Sequence, residues 1–199
     1  GMAVASKRGK GKREIIIEAA IQVFSQKGYH NTRMEEIAQA AGIGKGTIYE
    51  YFDSKLHLFQ SMMEDSLQVY FRRMENQRTD QMSMSTRLRL MCEAHIRFCL
   101  ENRELTKVLF GEAETPDKEL MEWAMAMRKD KLKRMQSLLV EGIERGELRS
   151  DLDLHMLSFS ILHTLAAFWF PLVMEDWQMD PELLSVQYAD FIMNGLKKA

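Results

Sequence analysis

The sequence predicts an all-α protein: a small three-helix unit at the N-terminus, followed by a larger helical body. Three features carry that prediction. Composition is the first: 199 residues hold only 3 Pro and 11 Gly but 16 Met, and Met, Leu, Glu, Lys, Arg and Ala, all good helix formers, dominate. Periodicity is the second, because apolar residues recur three and four apart and no segment alternates convincingly as a strand does. Punctuation is the third: capping and stop residues fall at the edges of the periodic stretches. Apolar residues at 46% and charged residues at 28% fit a globular chain with a sizeable core.

A flexible, solvated start is expected from "KRGKGKR", residues 7–13. Gly1 ahead of Met2 reads as a remnant of tag removal. The first helix is expected over residues 13–26, where Ile16, Ala19, Ala20, Val23 and Phe24 form one stripe and Gly28 supplies the stop. Thr32 and Glu35 are spaced as a capping box, with Thr32 as N-cap of a second helix over 34–41. Met34, Ile37, Ala38 and Ala41 make its inner face, and Gly42 ends it in the left-handed conformation. A third, short helix is expected over 45–51. A long fourth helix follows Asp53-Ser54, over 55–78. Further helices are expected over 85–102 and 104–111. Another begins at Thr115-Pro116 and ends near Gly142–Gly146, with proline at its first position. An uncharged helix over 152–170 is kinked or ended by Pro171. The last starts at Asp180-Pro181 and ends near Leu196.

Charge is distributed unevenly. Residues 1–58 hold nine Lys/Arg against six Asp/Glu, a surplus of three positive charges, whereas the remainder holds 18 against 23. That is the pattern of a nucleic-acid-binding head on an acidic body. Cys92 and Cys99 are the only cysteines. Seven residues apart on one helix, their Cα atoms would be roughly 10.5 Å apart, beyond the about 7 Å that a disulfide tolerates. A reducing, cytoplasmic compartment follows, and no secretory leader pattern is visible. Between Leu154 and Met174 there is no Asp, Glu, Lys or Arg, which is long enough for a membrane span. The His, Ser, Thr and Pro within it favour a helix buried in an oligomer interface, so no membrane partner is expected.

The stretch "AGIGKGTIYEYF", Ala41 to Phe52, carries the functional signal. A phosphate-cradling loop would need Gly-x4-Gly-Lys-Ser/Thr after a buried strand. Here a helix precedes the glycines, and Gly46 follows Lys45. An ordinary turn would leave the neighbouring short helices and the basic arm unrelated. A helix-turn-helix joins them: two short helices meet at a glycine turn, and the second enters the major groove. Gly44 and Gly46 let the backbone approach phosphate, and Lys45 adds charge beside the helix's first amides. Thr47 can touch a base edge or a thymine methyl. Tyr49 and Tyr51 offer hydroxyls to phosphate, while Ile48 and Phe52 face inward. Glu50 is expected to stay exposed rather than read a cytosine. The arm at Lys7 to Arg13 either enters the minor groove, coats phosphates, or serves as a solubilising tail.

These residues carry a resemblance. "AAIQVFSQKGYHNTRMEEIAQAAGIGKGTIYEYFDSKLHLF", Ala19 to Phe59, resembles the DNA-binding region of TetR/AcrR-type transcriptional regulators. Phe24, Gly28, Tyr29, Thr32, Ile37-Ala38, Ala41-Gly42, Gly46-Thr47, Tyr49, Phe52 and Lys55 occur in the family's order. The resemblance implies an N-terminal three-helix helix-turn-helix head and a C-terminal helical ligand-binding and dimerisation body. The domains would then be a basic arm over 1–13, a head over 14–58 and a body over 59–199. It also implies double-stranded DNA, a small-molecule effector and a second copy of the chain as partners. The DNA contacts carried over are Thr32, Gly44, Lys45, Gly46, Thr47, Tyr49, Tyr51 and Lys55. Gly44 departs from the family's usual Ser or Thr, which removes a hydroxyl and a helix cap. Leu56-His57-Leu58 stands where Glu-x-Leu is common.

The body is less distinctive. "GIERGELRSDLD", Gly142 to Asp153, and the overall helix pattern resemble the fatty-acid-metabolism branch, whose members sense acyl-CoA. Methionine adapts to irregular apolar shapes, so a lipophilic effector is expected in a pocket lined by Met91, His95, Phe98, Cys99, Phe110, Trp123, Met127 and His163. For each methionine the alternative is plain core packing. Cys92, His95 and Cys99 share one helix face and are soft metal-ligand types, but no fourth ligand is evident, so core or pocket lining is expected and no metal or cofactor. For the dimer, Leu157, Ile161, Leu165, Phe168 and Trp169 are expected to pack against Leu183, Val186, Phe191 and Ile192 of both chains in a four-helix bundle. No nucleophile elbow or cofactor fingerprint supports an enzyme. The expected function is a repressor released from a palindromic operator by a small lipophilic molecule; the alternative is a DNA-binding architectural or division factor without a ligand.

Overall fold

A computed structural model describes residues 10–75, 81–114 and 116–198. Among them the order is α1 (Lys12–Lys27), α2 (Met34–Ala41), α3 (Lys45–Tyr51), α4 (Lys55–Glu75), α5 (Met84–Glu101), α6 (Arg103–Glu114), a 3-10 turn (Lys118–Leu120), α7 (Met121–Glu144), α8 (Leu154–Ala167), a π-type turn (Phe170–Met174) and α9 (Pro181–Leu196). The described residues hold no strand, only an isolated antiparallel bridge between Leu148 and Lys197. The chain packs as two units. One runs up to Val69 and includes Glu101–Met121; the other holds Tyr70–Leu100 and the chain from Glu122 onward.

In the first unit α1 buries Ile16, Ile17, Ala19, Ala20, Val23 and Phe24. Gly28 stops it at φ 78°, its amide donating to the Phe24 carbonyl at 2.8 Å. Lys12, expected in the arm, is already helical ahead of Arg13, and Lys7, Arg8 and Gly9 lie outside the described residues. Phe24, Tyr29 and Phe59 form an aromatic core, with Phe59 edge-on to Phe24 at 5.2 Å and to Tyr29 at 5.1 Å. Such packing adds about 0.5–1.5 kcal/mol per pair beyond area burial.

The capping box is not formed. Arg33 holds the N-cap position of α2, without a side-chain cap. Thr32 is buried and its hydroxyl donates to the Gly28 carbonyl at 2.7 Å. The tight turn after α1 leaves that carbonyl without a helical partner, and Thr32 lies close enough to satisfy it. At the other end Gly42 is left-handed, at φ 71° and ψ 33°, as expected. Ser54 accepts from the His57 amide at 3.0 Å and opens α4.

The second unit is built on Leu88, Cys92, Ile96, Met135, Leu139, Leu157, Ile161, Leu165, Leu172, Leu184, Tyr188 and their neighbours. Asp153 and Asp180 cap α8 and α9, accepting from the Met156 amide at 2.7 Å and the Leu183 amide at 2.9 Å. The expected extension of α4 beyond Glu75 falls on residues 76–80, outside the described residues, as does Thr115. Pro116 does not start α7. Asp117 instead caps the 3-10 turn, accepting from the Glu119 amide at 3.0 Å, and α7 follows at Met121. Pro171 lies in the widened turn after α8. Leu154–Met174 is long and apolar enough to cross a membrane by length and composition, with a mean hydropathy of 1.7 and 28% of its most apolar window buried.

Candidate nucleic-acid interface

Seven residues, KGTIYEY, make α3, and the buried pair Ile48 and Phe52 fixes which side of it faces out. Arg13 of α1 lies 5.8 Å over the Phe52 ring. Opposite, Gly44, Lys45, Gly46, Tyr49, Glu50 and Tyr51 are exposed, and Thr47 is half-buried. Gly44 precedes α3 without a side-chain cap, as its missing hydroxyl requires. The exposed row therefore holds two hydroxyls, one ammonium, two glycine backbones and the Glu50 carboxylate; all but the last suit sugar-phosphate contacts, with Thr47 nearest to base reading.

Two of the expected side-chain contacts are occupied inside the unit. Thr32 spends its hydroxyl on Gly28, as above. Lys55 Nζ donates to the Tyr29 carbonyl at 2.8 Å and the His30 carbonyl at 3.4 Å, and lies 4.2 Å over the Tyr29 ring. Both tie down the turn between α1 and α2 rather than reach outward. The same turn is held from α6 and the segment after it. Glu112 accepts from the Tyr29 amide at 2.9 Å, Glu119 accepts from the Tyr29 hydroxyl at 2.6 Å, and Asp117 lies 3.2 Å from His30. Burial and the Glu119 carboxylate push the Tyr29 hydroxyl's pKa up, so it stays protonated and donating.

Lys45 is itself paired. Its Nζ lies 2.8 Å from Glu35 Oε1 on the first turn of α2. The hydrogen bond lowers the Glu35 pKa and raises that of Lys45. Sequence reasoning missed this partner, because ten residues and a turn separate the two and no local pattern reports such a pair.

The DNA-binding motif and the body now meet known proteins. A family model described as bacterial regulatory proteins of the tetR family matches residues 16–62, and one described as a tetracyclin repressor-like C-terminal domain matches residues 81–196. This chain belongs to the TetR family. A fatty acid metabolism regulator protein of Bacillus subtilis is 27% identical over 190 residues, covering 96% of this chain and 98% of the relative. The structure of the transcriptional regulator FadR from Bacillus subtilis in complex with stearoyl-CoA superposes with a TM-score of 0.81 at 27% identity, covering 92% of this chain and 98% of that one. FadR from Bacillus halodurans gives the same TM-score and identity, with 92% and 99% covered. These relatives are regulators rather than enzymes.

The effector residues expected from sequence are scattered over the TetR-family body and beyond. Met91, His95, Phe98 and Cys99 lie on α5, with the last three buried. Trp123 and Met127 are half-buried on α7, and Phe110 belongs to α6 in the first unit. His163 is exposed on α8, bonded to the Phe159 carbonyl and stacked on the Phe159 ring at 4.2 Å. His95 Nδ1 is hydrogen-bonded to the Tyr70 hydroxyl at 2.7 Å, and its Nε2 lies 3.7 Å from Cys99 Sγ. Burial holds His95 down to about pKa 4, with the Lys131 ammonium adding to the effect and a Leu165 backbone hydrogen bond opposing it. Burial pushes the Cys92 thiol up to about 12. No grouping of three His, Cys, Asp or Glu suited to a metal occurs among the described residues.

The expected dimer residues divide in two. Ile161 and Leu165, with Leu157 and Trp169, are buried within one chain. They are core, and Phe168 is half-buried against Tyr188 at 5.3 Å. Leu183, Val186 and Phe191 of α9 are exposed as expected. Also exposed on and after α8 are Met156, Phe159, Phe170 and Met174, which sequence reasoning missed. An uncharged helix gives no polar side to orient it, so its inner and outer rows could not be told apart from the pattern.

Proposed function

We propose that this chain is a ligand-responsive repressor that binds a palindromic operator as a homodimer in the cytoplasm and is released by a long-chain acyl thioester or a similar lipophilic molecule. The observation that carries the reading is the exposed row Gly44, Lys45, Gly46, Tyr49 and Tyr51, with Thr47 beside it, on a helix locked from behind by Ile48 and Phe52. Residues 14–58 act as the DNA-binding head and 59–199 as the effector and dimer body. The likeness to a FadR bound to stearoyl-CoA supports the effector class. The outer apolar row of α8 and α9 is covered by a second copy rather than by lipid. Two-fold symmetry then sets half-sites about 34–36 Å apart, or a multiple of that.

The test begins with selection of an operator from a random duplex pool. Lys45→Ala with Tyr49→Ala should weaken operator binding about a hundredfold at matched salt while the melting temperature holds, since each contact is worth about 1–3 kcal/mol. Stearoyl-CoA should release the wild-type protein from the operator. Unchanged affinity of the double variant would remove α3 as the reading helix. Retention on the operator at saturating stearoyl-CoA would remove the acyl thioester as effector.

A further inference from the structure

Cations of the first unit are engaged with carboxylates of the same unit. Lys10 pairs with Glu18, Arg13 with Asp65, Lys27 with Glu36 and Lys45 with Glu35. The last pair matters most, because Lys45 is the only cation on α3 and sits at the start of the row that faces out. Glu50 adds a second carboxylate to the same surface. On this face Lys45 thus meets two carboxylates, Glu35 and Glu50, while Arg33 also acts on Glu35.

The Glu35–Lys45 pair is not needed to hold α2 against α3. Both side chains are open to solvent, Lys45 at 65% and Glu35 at 49%, and a surface pair of that kind contributes little to stability. Met34, Ile37, Ala38, Ala41 and Ile48 are buried and already fix the two helices. What the pair does engage is the Lys45 ammonium.

We propose that Glu35 competes with the DNA backbone for Lys45 and thereby sets the affinity of the head for any duplex. Proposing this rests on the DNA-binding reading above. A phosphate can take Lys45 only by displacing Glu35. The displaced carboxylate then recovers a solution cation and faces the phosphate that replaced it. One cation fewer is released on binding, so the salt dependence is shallower by about one phosphate's share, a slope of about 0.9. The cost falls on every sequence alike, since a phosphate contact carries no base information. It keeps the complex weak enough for an effector of modest coupling energy to open it, because a ligand can shift an equilibrium only by its own differential affinity.

The experiment compares wild-type protein, Glu35→Gln, Lys45→Ala and the double variant on the selected operator and on a scrambled duplex of equal length, over a series of salt concentrations. Glu35→Gln should bind both duplexes about fivefold tighter at low salt, with a slope steeper by about 0.9 and an unchanged melting temperature. In the Lys45→Ala background the same substitution should leave the slope unchanged. Equal or weaker binding by Glu35→Gln, with wild-type slope, would overturn the inference and make Glu35 a group that positions Lys45. A gain in slope that persists without Lys45 would overturn it as well. Failure of the wild-type protein to select any duplex would instead remove the DNA-binding reading itself.

Discussion

Two sets of aromatic side chains are exposed, one on each unit. On α3, Tyr49 and Tyr51 are 44% and 39% exposed; on the body, Phe159 and Phe170 are 41% and 47%, and Phe191 is 73%. Their surroundings differ. The tyrosines end in hydroxyls and sit among Gly44, Lys45, Gly46 and Glu50, a wet and charged neighbourhood. The phenylalanines have no polar atom and belong with Met156, Met174, Leu183 and Val186 to the exposed apolar set of α8, α9 and the turn between them, although Phe159 also stacks on His163 at 4.2 Å and has the Arg128 guanidinium 5.5 Å over its ring. A phosphate backbone suits the first set, and a dry protein surface suits the second. Exposure alone says only that a partner is possible; the flanking residues say which kind.

The largest expected effect breaks the second set. Phe159→Glu with Phe191→Glu should convert the proposed dimer to monomer, because buried aromatic anchors at interfaces are worth roughly 2 kcal/mol or more each. Both side chains lie outside the core, so the protomer should keep its helical content. Sedimentation velocity reads the outcome, and a dimer that survives both charges would place the interface elsewhere. Tyr49→Ala with Tyr51→Ala is the counterpart. It should leave the oligomer unchanged and weaken DNA binding.

The same contrast explains what was legible. In the first unit the elements are short, and Gly28 and Gly42 mark their ends by backbone geometry that few other residues adopt. Ile48 and Phe52 could be assigned inward because polar residues and glycine surround them. Thr32 was misread because its hydroxyl had two candidate acceptors or donors nearby, and only the folded turn shows that Gly28 takes it. In the body, the start of α9 at Asp180-Pro181 was clear, whereas α8 was expected from residue 152 and is instead capped by Asp153 and begins at Leu154. The rotation of α8 was not legible. Leu157, Ile161 and Leu165 share one side and Met156, Phe159 and His163 another, with no charge on either to break the tie. The Glu35–Lys45 pair and the Tyr70–His95 contact join separate helices, and no local pattern encodes such meetings.

The interior of the body carries the next effect. His95 is buried on α5 against the Tyr70 hydroxyl and Cys99 Sγ, with the Lys131 ammonium raising the cost of a charge there. Its pKa falls to about 4 in the folded state, from 6.5. Between those values the unfolded chain binds a proton that the folded chain does not. Stability from this group is complete above pH 6.5 and declines as pH falls toward 4, by about 3 kcal/mol at most. Urea unfolding of wild-type protein and His95→Gln at both ends of that window isolates the effect, since other groups titrate in both. Equal pH dependence in the two proteins would show that His95 is not held neutral.

Two glycines give the smallest effect and the sharpest form of the contrast. In the body, a Cβ on Gly142 would lie 2.5 Å from Leu148 Cδ1, 2.8 Å from Leu148 Cγ and 3.0 Å from Met84 Cγ. Gly142→Ala therefore forces α7 and the segment carrying Leu148 apart, at about 1–3 kcal/mol, less about 1 kcal/mol regained from helix propensity. At Gly42 there is nothing within 4 Å of a Cβ, but φ is 71°. Gly42→Ala meets no neighbour, and its cost of about 1 kcal/mol is backbone strain alone. Leu148→Ala separates the two causes. Removing the two closest atoms, with Met84 Cγ still at 3.0 Å, should cut most of the cost of Gly142→Ala in that background, whereas no trimming of a side chain should relieve Gly42→Ala. If Gly142→Ala costs as much with Leu148→Ala as without it, the close approach does not govern that helix. If Asn at position 42, which tolerates the left-handed region better than Ala, is no less damaging than Ala, strain is not what Gly42 avoids.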